Sequence, residues 1–327
     1  MILAGDIGGT NTRLAFADEK AGSLNLVVEA TFLSREHASL ESVLRTFLSA
    51  NPLPITRAAF GVAGPVRRRR CDATNLPWVV DSHRVAGEIG LEHVGLINDL
   101  EANAYGVAAL RPEDFVVLNE GDASTEGNAA IISAGTGLGE AILFWDGRQH
   151  HPFATEGGHT DFAPRNQLEM EILDYLLRQF QRVSYERLVS GPGLLNIYRF
   201  LRETGREKEP EWLAERLRRQ DPSAVISQAA LHGESDLCVQ ALDLFVSLYG
   251  AEAGNLALKA MATGGVYLGG GIAPKIIEKL RGPAFLEAFT SKGRMQPLLR
   301  AMPVRVILNP KTALLGAARF ATLCSAE

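Results

Sequence analysis

The chain has 327 residues, 46% of them hydrophobic and 22% charged, an ordinary globular composition that excludes a disordered or collagen-like chain. At about 100–200 residues per domain, two domains are expected. Lys and Arg total 33 against 38 Asp and Glu, and the net charge of −5 argues against a broad basic face for nucleic acid.

Three cysteines, Cys71, Cys238 and Cys324, form no CxxC pair and no metal-ligand spacing. Reduced thiols in a cytoplasmic protein are therefore expected. No basic start followed by a long apolar region marks a signal peptide. No apolar run approaches the ~18 residues that a membrane span needs.

Residues 2–4 are a short apolar run that enters Gly5-Asp6-Ile7-Gly8-Gly9, and residues 13–17 are a second run. Two strands joined by a glycine-rich turn are expected, with an alternating third strand at 24–32. The period then changes. Leu40, Val43, Leu44, Phe47 and Leu48 share one helix face, so 37–50 is expected to be a helix stopped at Asn51-Pro52. Strands are expected at 58–62 and 94–97, the second running through Asn98-Asp99 into a helix at 100–110. Helices covering a sheet make an α/β layer.

Past Pro112 the pattern restarts. Strands are expected at 115–118, 129–133 and 141–145, with a surface loop at 120–128. Residues 2–18 and 130–146 share one plan, a strand, a small-residue turn, and a strand ending in Phe-x-Asp, with Phe16 matching Phe144 and Asp18 matching Asp146. This is a weak internal repeat. Helices are expected at 169–181, 191–201, 224–231 and 236–261, with 202–219 as a charged helical surface. A strand at 265–268 enters Gly269-Gly270-Gly271, followed by a helix at 274–280. A last strand at 304–308 leads to Asn309-Pro310, where proline suits the first turn of a final helix.

Three glycine-rich turns each follow a strand: Gly8-Gly9-Thr10-Asn11, Gly135-Thr136-Gly137-Leu138-Gly139, and Gly269-Gly270-Gly271. Successive backbone N–H groups in such turns form nests for anions, and phosphate is the expected one. The first two turns lead into strands, and neither a P-loop lysine nor G-x-G-x-x-G opening a helix is present, which argues against both of those families. Asp6, beside the first turn, is suited to hold Mg²⁺ through water, or simply to close the hairpin as an Asx-turn.

Residues 5–15, GDIGGTNTRLA, resemble the phosphate signature of bacterial ATP-dependent glucokinases of the proteobacterial type. Ile97-Asn98-Asp99-Leu100-Glu101-Ala102 resembles their catalytic segment, and Glu156-Gly157-Gly158-His159 their sugar-binding loop. Residues 186–193, ERLVSGPG, resemble a further sugar contact, and 135–139 and 269–272 fit the other nucleotide loops. These motifs occur in family order over almost the whole chain.

The resemblance implies a two-lobed α/β actin-like ATPase (ribonuclease H-like) fold with a cleft between a small and a large domain. The small domain would span 1–110, completed by a C-terminal helix at 302–327, and the large domain 111–301. It also implies a homodimer. The cysteine-rich zinc motif of broader sugar-kinase and repressor relatives is missing near 156–159, so no zinc is expected. With no room before Met1 for a DNA-binding motif, a sugar-responsive repressor is not expected either.

The implied reaction moves the γ-phosphoryl of ATP to the C6 hydroxyl of glucose, with Mg²⁺. Asp99 is the candidate base, although Asp at a helix start is also a common N-cap. Asn98, Asp99, Glu156, His159 and Glu186 are candidates for glucose, joined by Asn75. Glu156 and His159, with His150, His151 and Asp161 nearby, are weighed as metal ligands and placed on the sugar instead. Asp6, Gly8, Gly9, Thr10, Asn11, Gly135, Thr136 and Gly137 are candidates for the ATP phosphates, and Gly270 and Gly271 for the adenosine. The arginine run at 67–70 reads as a solvated hairpin tip. A kinase for another hexose or using another phosphoryl donor, and a non-catalytic sugar sensor, are the alternatives.

Overall fold

The computed structural model describes residues 1–20, 23–73, 76–122 and 126–324. The chain divides into two compact units. One holds Met1–Asp114, His151–Ala154 and Asn309–Glu327; the other holds Phe115–His150 and Thr155–Leu308.

The first unit contains β1 (Ile2–Ile7), β2 (Asn11–Lys20), β3 (Ser23–Leu33), α1 (Leu40–Ala50), β4 (Arg57–Val62), β5 (Val66–Arg67), β6 (Arg70–Asp72), β7 (Val79–Asp81), α2 (Ser82–Ile89), β8 (Gly95–Asn98) and α3 (Asp99–Val107). Its main sheet is ordered β3-β2-β1-β4-β8. Alternation along a strand sends successive side chains to opposite faces. Leu3, Ile7, Leu14, Phe16 and Phe60 therefore share a core with Val43, Leu44 and Phe47 of α1. Ile2, Ala4, Ala15, Ala17 and Ala59 share another with Leu314, Ala317 and Ala318 of the C-terminal helix, Thr312–Leu323. The small residues on that face let the helix come close. Gly316 lies so near α3 that a Cβ there would overlap Ala102 O.

The second unit contains β9 (Phe115–Asn119), β10 (Ala129–Ala134), β11 (Leu138–Trp145), the two ends of β12 (His150–Thr155), whose residues 151–154 are grouped with the first unit, α4 (Gln167–Leu177), α5 (Gly191–Glu203), α6 (Glu211–Arg219), α7 (Pro222–Leu231), α8 (Asp236–Ala260), β13 (Gly265–Gly269), α9 (Ile277–Leu280), α10 (Pro283–Thr290), α11 (Gln296–Ala301) and β14 (Val304–Ile307). Its sheet is ordered β12-β11-β10-β13-β14-β9. The long α8 is buried along most of its length, with Leu242, Phe245 and Tyr249 in the core. The repeat read in the sequence has a structural counterpart. β1 pairs antiparallel with β2 and parallel with β4, as β10 does with β11 and β13.

Several element boundaries differ from the sequence reading. α1 begins at Leu40 because Ser39 takes the extended N-cap conformation. The expected helical surface at 202–219 breaks after α5, and α6 restarts behind Pro210. The stretch at 274–280 is a 3-10 turn followed by the short α9. The final helix starts at Thr312, two residues past Pro310, because Asn309 Oδ1 accepts the Lys311 N–H at 2.9 Å and Thr312 Oγ1 bonds Asn309 O at 2.7 Å. The run at 67–70 is the β5–β6 hairpin, with Arg68 and Arg69 at positive φ in its turn.

Candidate active site

Two carboxylates interact on one face of the first unit's sheet. Asp6 lies inside β1, not in the turn, and its partner in register on β4 is Gly61. A Cβ on Gly61 would stand 2.7 Å from Ala102 Cβ and 3.7 Å from Asp99 Cα. The missing side chain lets α3 lie against the sheet and brings Asp99 towards Asp6.

Asn98, not Asp99, is the N-cap of α3. Its Oδ1 accepts the Leu100 N–H at 2.8 Å and its Nδ2 donates to Gly64 O at 3.0 Å. Asp99 is the first helical residue, with Oδ1 3.0 Å from the same N–H. Burial, and after it the Asp6 charge, push the Asp99 carboxyl up to about 6. Burial also raises Asp6, against the pull of Arg13, whose Nη1 lies 3.9 Å away.

The first glycine turn is closed by Gly8 N–H donating to Asn11 O at 2.9 Å, with Thr10 and Asn11 exposed beside Gly9. Ser34, buried at the end of β3, ties this turn down. Its Oγ donates to Gly8 O at 2.8 Å and lies 2.9 Å from Thr12 Oγ1, and its N–H donates to Thr10 O at 3.0 Å. Asn75 lies outside the described residues.

In the second unit, the parallel register Ser133↔Gly269 makes two glycine turns leave the same edge of the sheet. The carboxyl ends of strands are where open α/β sheets take ligands. Gly135 N–H donates to Gly137 O at 2.9 Å, and Thr136 is exposed at the tip. Gly270 has a φ of 80°, and a Cβ there would overlap Ala134 O. At Gly271 a Cβ would meet nothing within 4 Å.

Glu156, His159 and Glu186 come together around the imidazole. His159 Nε2 is 4.0 Å from Glu156 Oε2, and Nδ1 is 4.0 Å from Glu186 Oε1. Glu156 and His159 are 73% and 54% exposed, and Glu186 29%, so the three line an open surface. Glu186 is fixed on its other oxygen, where Oε2 accepts the Leu138 N–H at 3.0 Å. Arg182 holds the loop from beside, with Nη1 2.6 Å from His159 O and 2.8 Å from Asp161 Oδ1.

A family model described as glucokinase matches residues 3–323. The chain belongs to the glucokinase family. It is 43% identical to the glucokinase of Trichormus variabilis, with 100% of this chain and 99% of that one covered. It matches the crystal structure of a glucokinase from an Antarctic psychrotroph with a TM-score of 0.86 and 31% identity, over 98% of each chain. A glucokinase from Balamuthia mandrillaris, solved in complex with glucose, shares the fold at a TM-score of 0.77 and 22% identity, over 98% of this chain and 93% of that one. The glucokinase-family chain therefore has the actin-like ATPase fold and is an ATP-dependent hexose kinase.

Three residues around the candidate site escaped the sequence reading. Arg13 could have been found from the hairpin register that opposes it to Asp6. Ser34 acts across 26 residues and carries no local signal. Glu140 sits two residues past the turn at 135–138 and is buried below the loop at 156–159.

Proposed function

We propose that the chain transfers the γ-phosphoryl of ATP to the C6 hydroxyl of D-glucose, giving glucose 6-phosphate and ADP, with Asp99 as general base. The observation that carries the sugar assignment is His159 lying 4.0 Å from both Glu156 and Glu186. Two carboxylates and an imidazole in one cluster accept from and donate to adjacent hydroxyls. A sugar lacking a hydroxyl leaves such groups unpaired, which is a strong basis for selection. Asn98, whose amide also donates to the Asp99 carboxyl, and Asn75 join this set.

Asp99 takes the hydroxyl proton as the C6 oxygen forms its bond to the γ-phosphorus. The bond from that phosphorus to the bridging oxygen breaks, and ADP leaves with the electron pair. A base held up near 6 is ionised at neutral pH and more basic than an ordinary aspartate. Gly9, Thr10 and Asn11, with Thr136 and Gly137, present N–H and hydroxyl donors to the phosphates, in turns that the Gly8 and Gly135 N–H groups close. Gly270 and Gly271 leave room for the adenosine.

The donors at Asp6 fit Mg²⁺, which prefers hard oxygen ligands and keeps several waters, so Asp6 would hold it through water. A cation beside Asp6 and Asp99 also relieves the repulsion that raises Asp99. When bound, Mg²⁺ neutralises charge on the ATP phosphates. The reading includes a cytoplasmic homodimer.

The test is ADP release with ATP and Mg²⁺ in the presence of glucose, fructose, mannose or no sugar. Strong turnover with glucose is expected, and Glu156→Ala and His159→Ala should each raise the glucose KM. Equal turnover without sugar, or an unchanged KM in both variants, contradicts the reading.

A further inference from the structure

Two buried carboxyl groups of the second unit have no part in the reaction described above. Glu140 on β11 is 1% exposed and Glu252 on α8 is fully buried. Oε1 of Glu140 is buried without a donor, a costly state for an ionised carboxylate. Glu252 is better supplied, with Asn255 Nδ2 donating to Oε2 at 2.8 Å and Lys259 Nζ 3.5 Å from Oε1. Two ionised carboxylates offer each other no donor. A proton on Glu140 makes it a donor to Glu252 and removes one of the two charges. Burial first, and the Glu252 charge second, push the Glu140 carboxyl up to about 8, with Lys259 opposing.

Glu140 lies directly beneath the loop assigned to the sugar. A Cβ on Gly157 would overlap Glu140 Oε2. Thr155 Oγ1 donates to Glu140 O at 3.1 Å and accepts the Gly157 N–H at 3.1 Å. Two residues earlier on the same strand, Leu138 N–H holds Glu186, and a Cβ on Gly158 would overlap Leu138 O. Residues 138–140 thus support both the loop at 156–159 and Glu186, immediately after the turn at 135–137.

We propose that Glu140 is a positioning residue for sugar binding, kept as a neutral acid that donates to Glu252 and supports Gly157 from below. The proposal rests on the assignment of Glu156, His159 and Glu186 to the sugar. Loss of the proton puts a second negative charge under the loop. Facing it are Glu252, Lys259 and Tyr249 of α8, and around Glu252 lie Tyr185 and Lys292. Lys292 Nζ donates to Asn255 Oδ1 at 2.6 Å and senses Arg165 and Glu169. Burial lowers Lys292 to about 8, so it loses its positive charge over the same range and does not offset the change.

The experiment is the KM for glucose and for ATP measured between about pH 6.5 and 9.5 in the wild type, Glu140→Gln, Glu140→Ala and His159→Ala. The wild-type glucose KM should rise about tenfold towards the alkaline end, the scale of one lost hydrogen bond, with kcat and the ATP KM nearly flat. Glu140→Gln stays neutral and can donate an N–H to Glu252, so it should keep the neutral-pH glucose KM and lose the alkaline rise. Glu140→Ala should raise the glucose KM at every pH. If Glu140→Ala does not fold, the pH profile of Glu140→Gln decides. The same alkaline rise in Glu140→Gln, or a flat wild-type profile, overturns the positioning role. His159→Ala separates the two readings. An unchanged glucose KM there refutes the sugar loop itself, whereas a raised one with unmoved Glu140 variants refutes only the role of Glu140.

Discussion

Gly270→Ala strikes the proposed nucleotide side of the site at one atom. Gly270 has a φ of 80°, a left-handed conformation that costs a residue with a β-carbon about 1–2 kcal/mol. The new methyl would overlap Ala134 O and stand 2.8 Å from Ala134 C and 3.0 Å from Ala134 N. All three are backbone atoms at the end of β10, so the turn at 269–271 has to move outwards. That movement stretches the bond from Ile272 N–H to Ala134 O, 3.2 Å long, which is worth about 1 kcal/mol. The sum is about 2–3 kcal/mol, or roughly 5–10 °C in melting temperature for a unit of this size. Thermal melts and steady-state kinetics should show that loss, together with a several-fold higher KM for ATP and a glucose KM within about twofold of wild type. A melt within about 1 °C of wild type and an unchanged ATP KM would refute both the packing argument and the place of this turn beside the nucleotide.

Three further outcomes follow from the same geometry. The profile of kcat/KM for glucose against pH should have an acid limb above the ordinary 3.8, because Asp99 works ionised and its burial, the larger cause of its raised pKa, persists with the cation bound; a limb at 3.8 would contradict this. Ser34→Ala removes the hydroxyl that ties Gly8 to Thr12, and should cost about 1–2 kcal/mol in denaturant unfolding while raising the ATP KM more than the glucose KM. Glu140 keeps a proton in the folded chain that the unfolded chain releases near 4.5. The contribution of Glu140 to folding stability should therefore fall as pH rises from there to about 8, and Glu140→Gln should flatten the slope in melts taken across the range while leaving the part that Asp99 supplies below about 6.

The parts of the site legible in the sequence are those written in adjacent residues. The glycine turns at 8–9, 135–137 and 269–271 stand out because each ends an apolar run. Asn98-Asp99 stands out because a strand gives way to a helix there. Roles within that pair were less legible: Asn98 takes the cap because its Oδ1 reaches Leu100 N–H, and only the structure separates it from Asp99. Ser34 and Glu140 gave no local sign, since what they do depends on partners brought by strand pairing and loop packing. α2 has little signature in the sequence although Asp81 caps it, with Oδ1 accepting from His83 and Arg84 N–H, and Gly90 ends it in the left-handed conformation, because only Ser82, Val85 and Ala86 of it are buried. The start of the final helix is not legible at Asn309-Pro310, because proline suits a first helical turn as well as the Asx-like turn that Asn309 forms here.

Asp99→Asn tests the central claim most directly. The amide keeps the size and hydrogen-bonding capacity of the carboxylate and loses its ability to take a proton. Glucose binding by titration calorimetry should stay within a few-fold of wild type, while ADP release with ATP, Mg²⁺ and glucose falls by about 10²–10⁴. Near wild-type turnover in this variant would contradict the account of Asp99 as the base.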